Sequence, residues 1–331
     1  MDALTGLIDA QVVRGVLGAR IAAGDDWGWW SAEQPGAAFH AVTSGTVWIA
    51  PEGADPLQLR AGDVLLLPSG RAHALASDPE AISRTSPEHS DGYTLAADGT
   101  VRMGHGQAHT HILCAHYTHD PTASASFLAA LPDTVLLRGQ GDGGGLAETV
   151  RLVGRELTAP RPGSQVVLAR LVDVLLVQAL RDWLERADDS PASPLHALRD
   201  PVVSTAMAMI DAQPGRAWTT TELARATDVS RATLARRFPA ALGETPAAYL
   251  TRRRLDLSAR RLRDTDDPLE QIAQDIGYTS VYAFSRAFRR ERGVPPGRFR
   301  TTSRAATAAP DDRRPGRSTT VRGGAVQGGA G

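Results

Sequence analysis

The 331 residues suffice for two domains, each with its own core, and the ordinary apolar and charged fractions are those of a globular protein rather than a disordered one. The formal net charge of −1 conceals a division: residues 1–195 carry 13 Arg against 23 Asp and Glu, net −10, whereas residues 196–331 carry 23 against 14, net +9. That division suggests that only the C-terminal half meets a polyanion, with an uneven but fully solvated surface as the alternative, and a lone cysteine, Cys114, excludes an intrachain disulfide framework and fits a reducing cytoplasm.

The opening MDALTGLIDAQVVRG has no basic stretch followed by an apolar run, so no signal peptide is expected. From about 36 to 120, short apolar runs are punctuated by Gly, Pro and Asp: A-F-H-A-V, T-V-W-I-A, V-L-L-L-P and T-H-I-L-C-A-H-Y. This spacing predicts an antiparallel sandwich or barrel. From about 122 to 186 the period becomes helical, with R-G-Q-G-D-G-G-G (138–145) as a loop. The most apolar segment, Gln165–Leu184, is interrupted by Arg170, Asp173, Arg181 and Asp182. Each of those charges would cost about 2.5–3.5 kcal/mol at mid-bilayer, so a soluble protein with no membrane partner is expected. The helix at 164–186 is nevertheless apolar on more than one stripe, which suggests a homodimer surface or a fully buried helix. A-D-D-S-P-A-S-P (187–194) has linker composition. Helical patterns then run to about 300, and the Arg-, Gly-, Ala- and Thr-rich tail (301–331) is expected to be disordered.

Within the basic half a unit repeats. S230-R-A-T-L-A-R-R-F238 aligns with S280-V-Y-A-F-S-R-A-F288, and Leu223-Ala224 aligns with Ile272-Ala273, with one more residue in the second turn. Each unit reads as helix, turn, helix. T219-T-T-E222 has capping-box spacing, Ser230 and Ser280 are placed to cap the second helices, and Asp267 with Pro268 opens the second unit. Gly277 makes a turn, Gly293 with Pro295 and Pro296 closes a helix, and Pro239 is expected to end its helix early. Residues 245–265 form a long helix between the units. Helix-turn-helix geometry would put Arg231, Ala232, Ala235 and Arg236, and then Val281, Tyr282, Ser285 and Arg286, on base-facing sides. Arg252, Arg253, Arg254, Arg260, Arg261 and Arg289 would contact phosphate. The competing reading is a pair of solvated helical hairpins. All 36 basic residues are Arg, a coding bias that says nothing by itself.

Residues 215–300 resemble the DNA-binding domain of the AraC/XylS family of bacterial transcription regulators. The resemblance is carried by W218-T-T-T-E-L-A, S230-R-A-T-L-A-R-R-F, Y249-L-T-R-R-R-L, A259-R-R-L-R, I272-A-Q-D-I-G-Y and F284-S-R-A-F-R-R. It implies two recognition helices in successive major grooves of an operator, RNA polymerase as a partner, and more often activation than repression. G62-D-V-L-L-L-P-S-G-R-A-H73 follows the second cupin motif, and F39-H-A-V-T-S-G45 meets the first only in part, with one histidine and no glutamate. Residues 1–186 thus resemble the cupin-type ligand-binding domain of some of these regulators.

His105, His109, His111, Cys114, His116 and His119 add possible zinc or copper ligands without a tetrahedral spacing motif. The expected effector or metal residues are His40 and His73, with Cys114 or His116. A metal-dependent cupin enzyme fused to a nucleic-acid-binding module is the alternative, and the missing glutamate weighs against it. The expected architecture is α+β: a cupin-like β-barrel with accessory helices (1–186), a linker (187–198), an all-α double helix-turn-helix (199–300) and a basic tail. The effector would be a small molecule, a metal or a redox signal.

Overall fold

The computed structural model describes residues 2–11, 14–118, 128, 131–139, 145–186 and 197–308. In the N-terminal half, helix α1 (Ala3–Gln11) precedes β1 (Arg14–Asp25), β2 (Gly28–Ser31), β3 (Ala37–Ser44), β4 (Thr46–Pro51), β5 (Leu57–Arg60), β6 (Val64–Leu67) and β7 (His73–Ala76). Then come α2 (Pro79–Arg84), β8 (Thr94–Leu95), β9 (Thr100–Met103), β10 (His105–Thr118), β11 (Val135–Leu137), α3 (Gly145–Thr158) and α4 (Ser164–Arg186). The strands form two facing sheets, ordered β11-β6-β3-β10-β1-β9-β8 and β2-β7-β4-β5.

Side-chain alternation divides the larger sheet into two faces. Phe39, Ala41, Leu113, Ala115 and Tyr117 point outward and are covered by α3 and α4 through Val150, Val153, Leu168, Val172 and Leu175. The Tyr117 hydroxyl donates to the Val172 carbonyl at 2.6 Å. The opposite face packs Ile21, Val42, Leu65, Leu67 and Ile112 against Val47, Ile49 and Leu75 of the smaller sheet. As the cupin spacing predicts, Pro68 and Gly70 lie between β6 and β7, and Gly70 takes φ 64°. Two features differ from the reading above. The sheet begins at Arg14 rather than near 36, with β1 parallel to β9, and β11 lies in a stretch whose period reads as helical. A three-residue strand is too short to show a period, and its partner β6 is what makes it a strand.

The C-terminal half is helical: α5 (Pro201–Ala212), α6 (Thr220–Ala226), α7 (Arg231–Leu242), α8 (Pro246–Asp264), α9 (Leu269–Asp275), α10 (Val281–Arg292) and α11 (Pro296–Ala308). It has two cores. Leu223, Leu234 and Phe238 join Val203, Met207, Ile210, Tyr249 and Leu250 in one. Ile272, Phe284 and Phe288 join Leu255, Ala259 and Leu262 in the other. α8 therefore serves both cores, through Tyr249 and Leu250 near its start and through Leu255, Ala259 and Leu262 further along.

Contacts reach across the expected boundaries near both ends of the described chain. Ala3 of α1 is buried among residues of the first helical core, so the N-terminal segment is not confined to the barrel. Residues 301–308, expected to be disordered, continue α11, where Arg304 donates to the Arg263 carbonyl at 3.0 Å and to Asp266 at 2.6 Å. The 187–194 stretch, His119 and the tail beyond 308 lie outside the described residues.

Candidate nucleic-acid interface

Helices α6 and α7 form one helix-turn-helix, and α9 and α10 the other. The first helices have 7 residues each and the second helices 12 each. The capping box is present in full: the Thr219 side chain accepts from the Glu222 amide, and Glu222 accepts from the Thr219 amide at 2.9 Å. Ser230 and Ser280 each cap the second helix, accepting from the amides of Thr233 and Ala283. Left-handed Gly243 and Gly293 close these helices. The turns use Asp228 at φ 55° and Gly277 at φ 83°.

Two local expectations are corrected. Pro239 does not end α7, which reaches Leu242. It falls near the C-terminal end, where its missing N–H forgoes a single bond and its carbonyl accepts from the Gly243 amide at 2.8 Å. Asp267 does not cap α9, because its carboxylate accepts from Arg261 at 2.6 and 3.0 Å and Pro268 takes the capping position without a side-chain bond.

Burial separates two sides of each second helix. Leu234 and Phe238, and in the other unit Phe284, Ala287 and Phe288, face the cores. Arg231, Ala232, Ala235 and Arg236 are exposed; so are Tyr282, at 74%, Arg286 and Arg289, with Val281 and Ser285 half buried beside them. Ion pairing draws the same division among the arginines. Arg252 pairs with Glu244 at 2.6 Å. Arg253 pairs with Asp211 at 2.5 Å, the two side chains 11% and 0% exposed. Arg254 donates to the carbonyls of Pro214, Gly215 and Arg216, and Arg261 pairs with Asp267 and Asp275. Arg260 is half buried and held by contacts within the chain. Of the residues expected to contact phosphate, Arg252, Arg253, Arg254 and Arg261 thus have guanidinium groups engaged within the domain. Composition could not reveal this, since a paired and an unpaired arginine read alike. By contrast, the side chains of Arg231, Arg236, Arg286 and Arg289 make no hydrogen bond or ion pair with any described residue.

Inside the barrel, β3, β7 and β10 bring three of the expected residues together. The His73 Nδ1–H donates to the Arg71 carbonyl at 2.9 Å, which leaves His73 Nε2 as an acceptor. His40 Nε2–H then donates to it at 2.9 Å, and the Cys114 thiol donates to His40 Nδ1 at 3.2 Å. All three groups are satisfied while neutral. Burial holds both imidazoles below their ordinary range, with the neighbouring His73 adding to the effect at His40. It also pushes the Cys114 thiol up to about 12. This arrangement does not fit a closed metal site. His40 stands between its neighbours and spends one nitrogen on each, so the three donors do not converge on one point. Among the described residues no three His, Cys, Asp or Glu side chains gather as metal ligands. Neither His116, half buried on β10, nor the exposed His105 and His109 completes such a group. His109 pairs with Asp25 at 3.0 Å, and His111 lies against Ser44 at 2.8 Å.

A cupin-type barrel joined to paired helix-turn-helix units, each presenting an exposed helix face with unpaired arginines, defines a two-domain DNA-binding regulator. Residues 2–185 match the family model described as Cupin, and residues 223–302 match that described as Helix-turn-helix domain. An AraC-like transcription regulator of Streptomyces lividans is 36% identical over 308 residues, covering 91% of this chain and 98% of its own. The RCS-specific HTH-type transcriptional activator RclR of Escherichia coli is 28% identical, covering 91% and 97%. Among solved structures, the DNA-binding domain of AdpA in complex with a target DNA is 27% identical over 32% of this chain and 96% of that one, with a TM-score of 0.30. The chain belongs to the AraC family of helix-turn-helix transcription regulators, with an N-terminal cupin domain, and the relatives it matches are regulators rather than enzymes. No described helix is long and apolar enough to cross a membrane.

Proposed function

We propose that this chain is a cytoplasmic transcription activator that reads one operator through two successive major grooves. In this reading Arg231, Ala232, Ala235 and Arg236 form one reading face, and Val281, Tyr282, Ser285 and Arg286 form the other. The observation that carries it is the division of the arginines: those on the outer faces of α7 and α10 are unpaired, whereas those of α8 are consumed within the domain. Arg286 and Arg236 can each bind guanine O6 and N7 bidentately, Ala232 and Ala235 offer methyl contacts to thymine, and Arg289 contacts phosphate. With 19 residues, α8 is about 28 Å long at 1.5 Å per residue, which suits placing two helices in neighbouring grooves. The α7 face offers fewer polar groups than α10, so the half-site under α10 carries more of the sequence specificity. The activator role and contact with RNA polymerase follow from the family, in which RclR is named an activator.

Selection of bound duplexes from a random library tests this. Arg286→Ala and Arg236→Ala should each relax one base position by about 1–3 kcal/mol, at positions roughly one helical turn apart. Selection profiles identical to that of the unsubstituted protein would refute the groove assignment.

The barrel reads the effector in this proposal, and the Cys114–His40–His73 chain is the polar feature of its interior on which a signal would act. Its buried neutral thiol argues against standing thiolate chemistry, so an oxidant or a soft metal ion would first have to draw the proton through His40. In vitro transcription with a panel of oxidants and metal ions, compared with Cys114→Ser, checks this: a response that survives the substitution would remove Cys114 from the pathway. We further propose a homodimer through α4, where Val166, Val167 and Val174 are 66%, 39% and 42% exposed on a helix whose other side is already buried.

A further inference from the structure

The outer face of the larger sheet carries charges that its own acids leave unmatched. On β1, Arg20 pairs with Leu113 of β10, whose side chain points outward, and Ala22, two residues on, pairs with His111. On the parallel partner β9, Thr100 lies beside Arg20 and Arg102 beside Ala22. Val101 and Met103, the alternate residues of β9, belong to the core between the sheets, so Arg102 shares the outer face. Arg102, Ala22 and His111 thus form one row across three strands. Arg20 stands diagonally from Arg102, their Cα atoms roughly 8 Å apart.

Arg20 is 8% exposed, and a Cβ on Gly99, in the β8–β9 turn, would stand 3.1 Å from its Nη2. Yet among the described residues neither Arg20 nor the exposed Arg102 makes a hydrogen bond or ion pair through its side chain. Scarcity of acid is not the reason, since residues 1–195 hold 23 Asp and Glu against 13 Arg. Elsewhere in this half Arg71, Arg84, Arg138 and Arg161 each meet a carboxylate. Asp98 feels both guanidinium groups, but its oxygens accept from the Thr100 amide at 2.9 Å and the Thr100 hydroxyl at 3.0 Å. Burial, then Arg102 and His109, hold the His111 imidazole below its ordinary range, so it borders the row as a neutral group, with Ser44 at 2.8 Å. A nearly buried guanidinium beside a second one is a costly arrangement that an incoming anion relieves.

We propose that this part of the outer face is a binding site for a small oxyanion, a phosphate or carboxylate ligand held by Arg20 and Arg102. A planar guanidinium donates two parallel N–H groups to such an oxyanion. Two of them at this spacing can close on one ligand from adjacent strands, with Thr100 and His111 at its border. The site lies on the face of the sheet opposite Cys114, so it is separate from the polar chain inside the barrel. It does not depend on which bases are read.

Thermal unfolding and calorimetric titration of the full chain, at constant pH and ionic strength, test it with inorganic phosphate and with succinate. The parent should bind at least one probe saturably and melt higher in its presence. That binding should weaken at least tenfold in Arg20→Met and in Arg102→Gln, and persist in Arg286→Ala, whose arginine belongs to the proposed DNA face. Which probe binds tells a phosphate ligand from a carboxylate one. Arg20→Met keeps the packed stem and removes the charge, so without a probe it should melt at or above the temperature of the parent. If it melts lower instead, Arg102→Gln decides, because that side chain is exposed. Binding that survives Arg102→Gln, or that Arg286→Ala abolishes, overturns the proposal, as does a parent that binds neither probe.

Discussion

At the scale of single residues, identical side chains do opposite work. Arg253 and Arg289 look interchangeable as phosphate contacts in the sequence, but Arg253 is buried against Asp211 and Arg289 is exposed. Arg253→Ala would leave the Asp211 carboxylate buried and uncompensated, at a cost of about 3–5 kcal/mol of stability. Denaturant unfolding should show that loss, while the salt dependence of DNA binding by the folded fraction stays unchanged. Arg289→Ala should behave inversely, with stability within about 0.5 kcal/mol and the slope of log K against log salt reduced by about 1. The buried histidines set a pH dependence. His40 and His73 are held neutral by burial, below their ordinary value of 6.5, whereas the unfolded chain protonates them there. The unfolded state thus binds more protons as pH falls below about 6.5, and stability declines from that point down to their depressed folded values. Thermal unfolding between pH 7 and 5 should show the decline, and it should be smaller in a His40→Gln variant. Carboxylates such as Asp78, held low first by the Ala81 amide and then by the Ser77 hydroxyl, add their losses only at lower pH.

At the scale of elements, the local rules written in the chain were honoured nearly everywhere in the helix-turn-helix units. The capping box, the serine caps, the Gly277 turn and the closing Gly293 all lie where their spacing puts them, because each rests on contacts within a few residues. The exceptions are instructive. Asp267 is drawn away from capping by Arg261, a longer-range pair that spacing alone does not disclose, and Pro239 is tolerated near a helix end. Gly277 is where an element depends most on its residue. It has φ 83°, and a Cβ there would run into the Gly215 carbonyl and the Arg254 guanidinium. Gly277→Ala should therefore destabilise the second unit by roughly 1–3 kcal/mol, far more than an ordinary helix-surface change. Native-state hydrogen exchange should place the loss in α9 and α10 and spare α7.

At the scale of the whole molecule, charge and packing are apportioned between the halves. The basic half reaches +9, yet many of its arginines are spent on internal carboxylates, so in the proposed reading the charge offered to DNA is that of the second helix of each unit. On the acidic half, α4 buries one side against the sheet and leaves valines outward. If they join two copies, Val166→Glu with Val174→Glu should turn a dimer into a monomer by sedimentation and weaken operator binding at low protein concentration. A monomeric parent protein would refute that surface.

The sequence by itself determined the division into a β-rich acidic half and a helical basic half, the duplicated helix-turn-helix and the faces of its second helices. Those features rest on periodicity, caps and turns, all short-range and therefore written contiguously. Only the tertiary structure decided which arginines are consumed in ion pairs, that β1 begins the sheet at Arg14, that His73, His40 and Cys114 form one hydrogen-bonded chain, and that α1 packs on both halves. Most of these join residues tens to hundreds of positions apart, and the balance between burial and pairing that settles them exists only once the chain has folded.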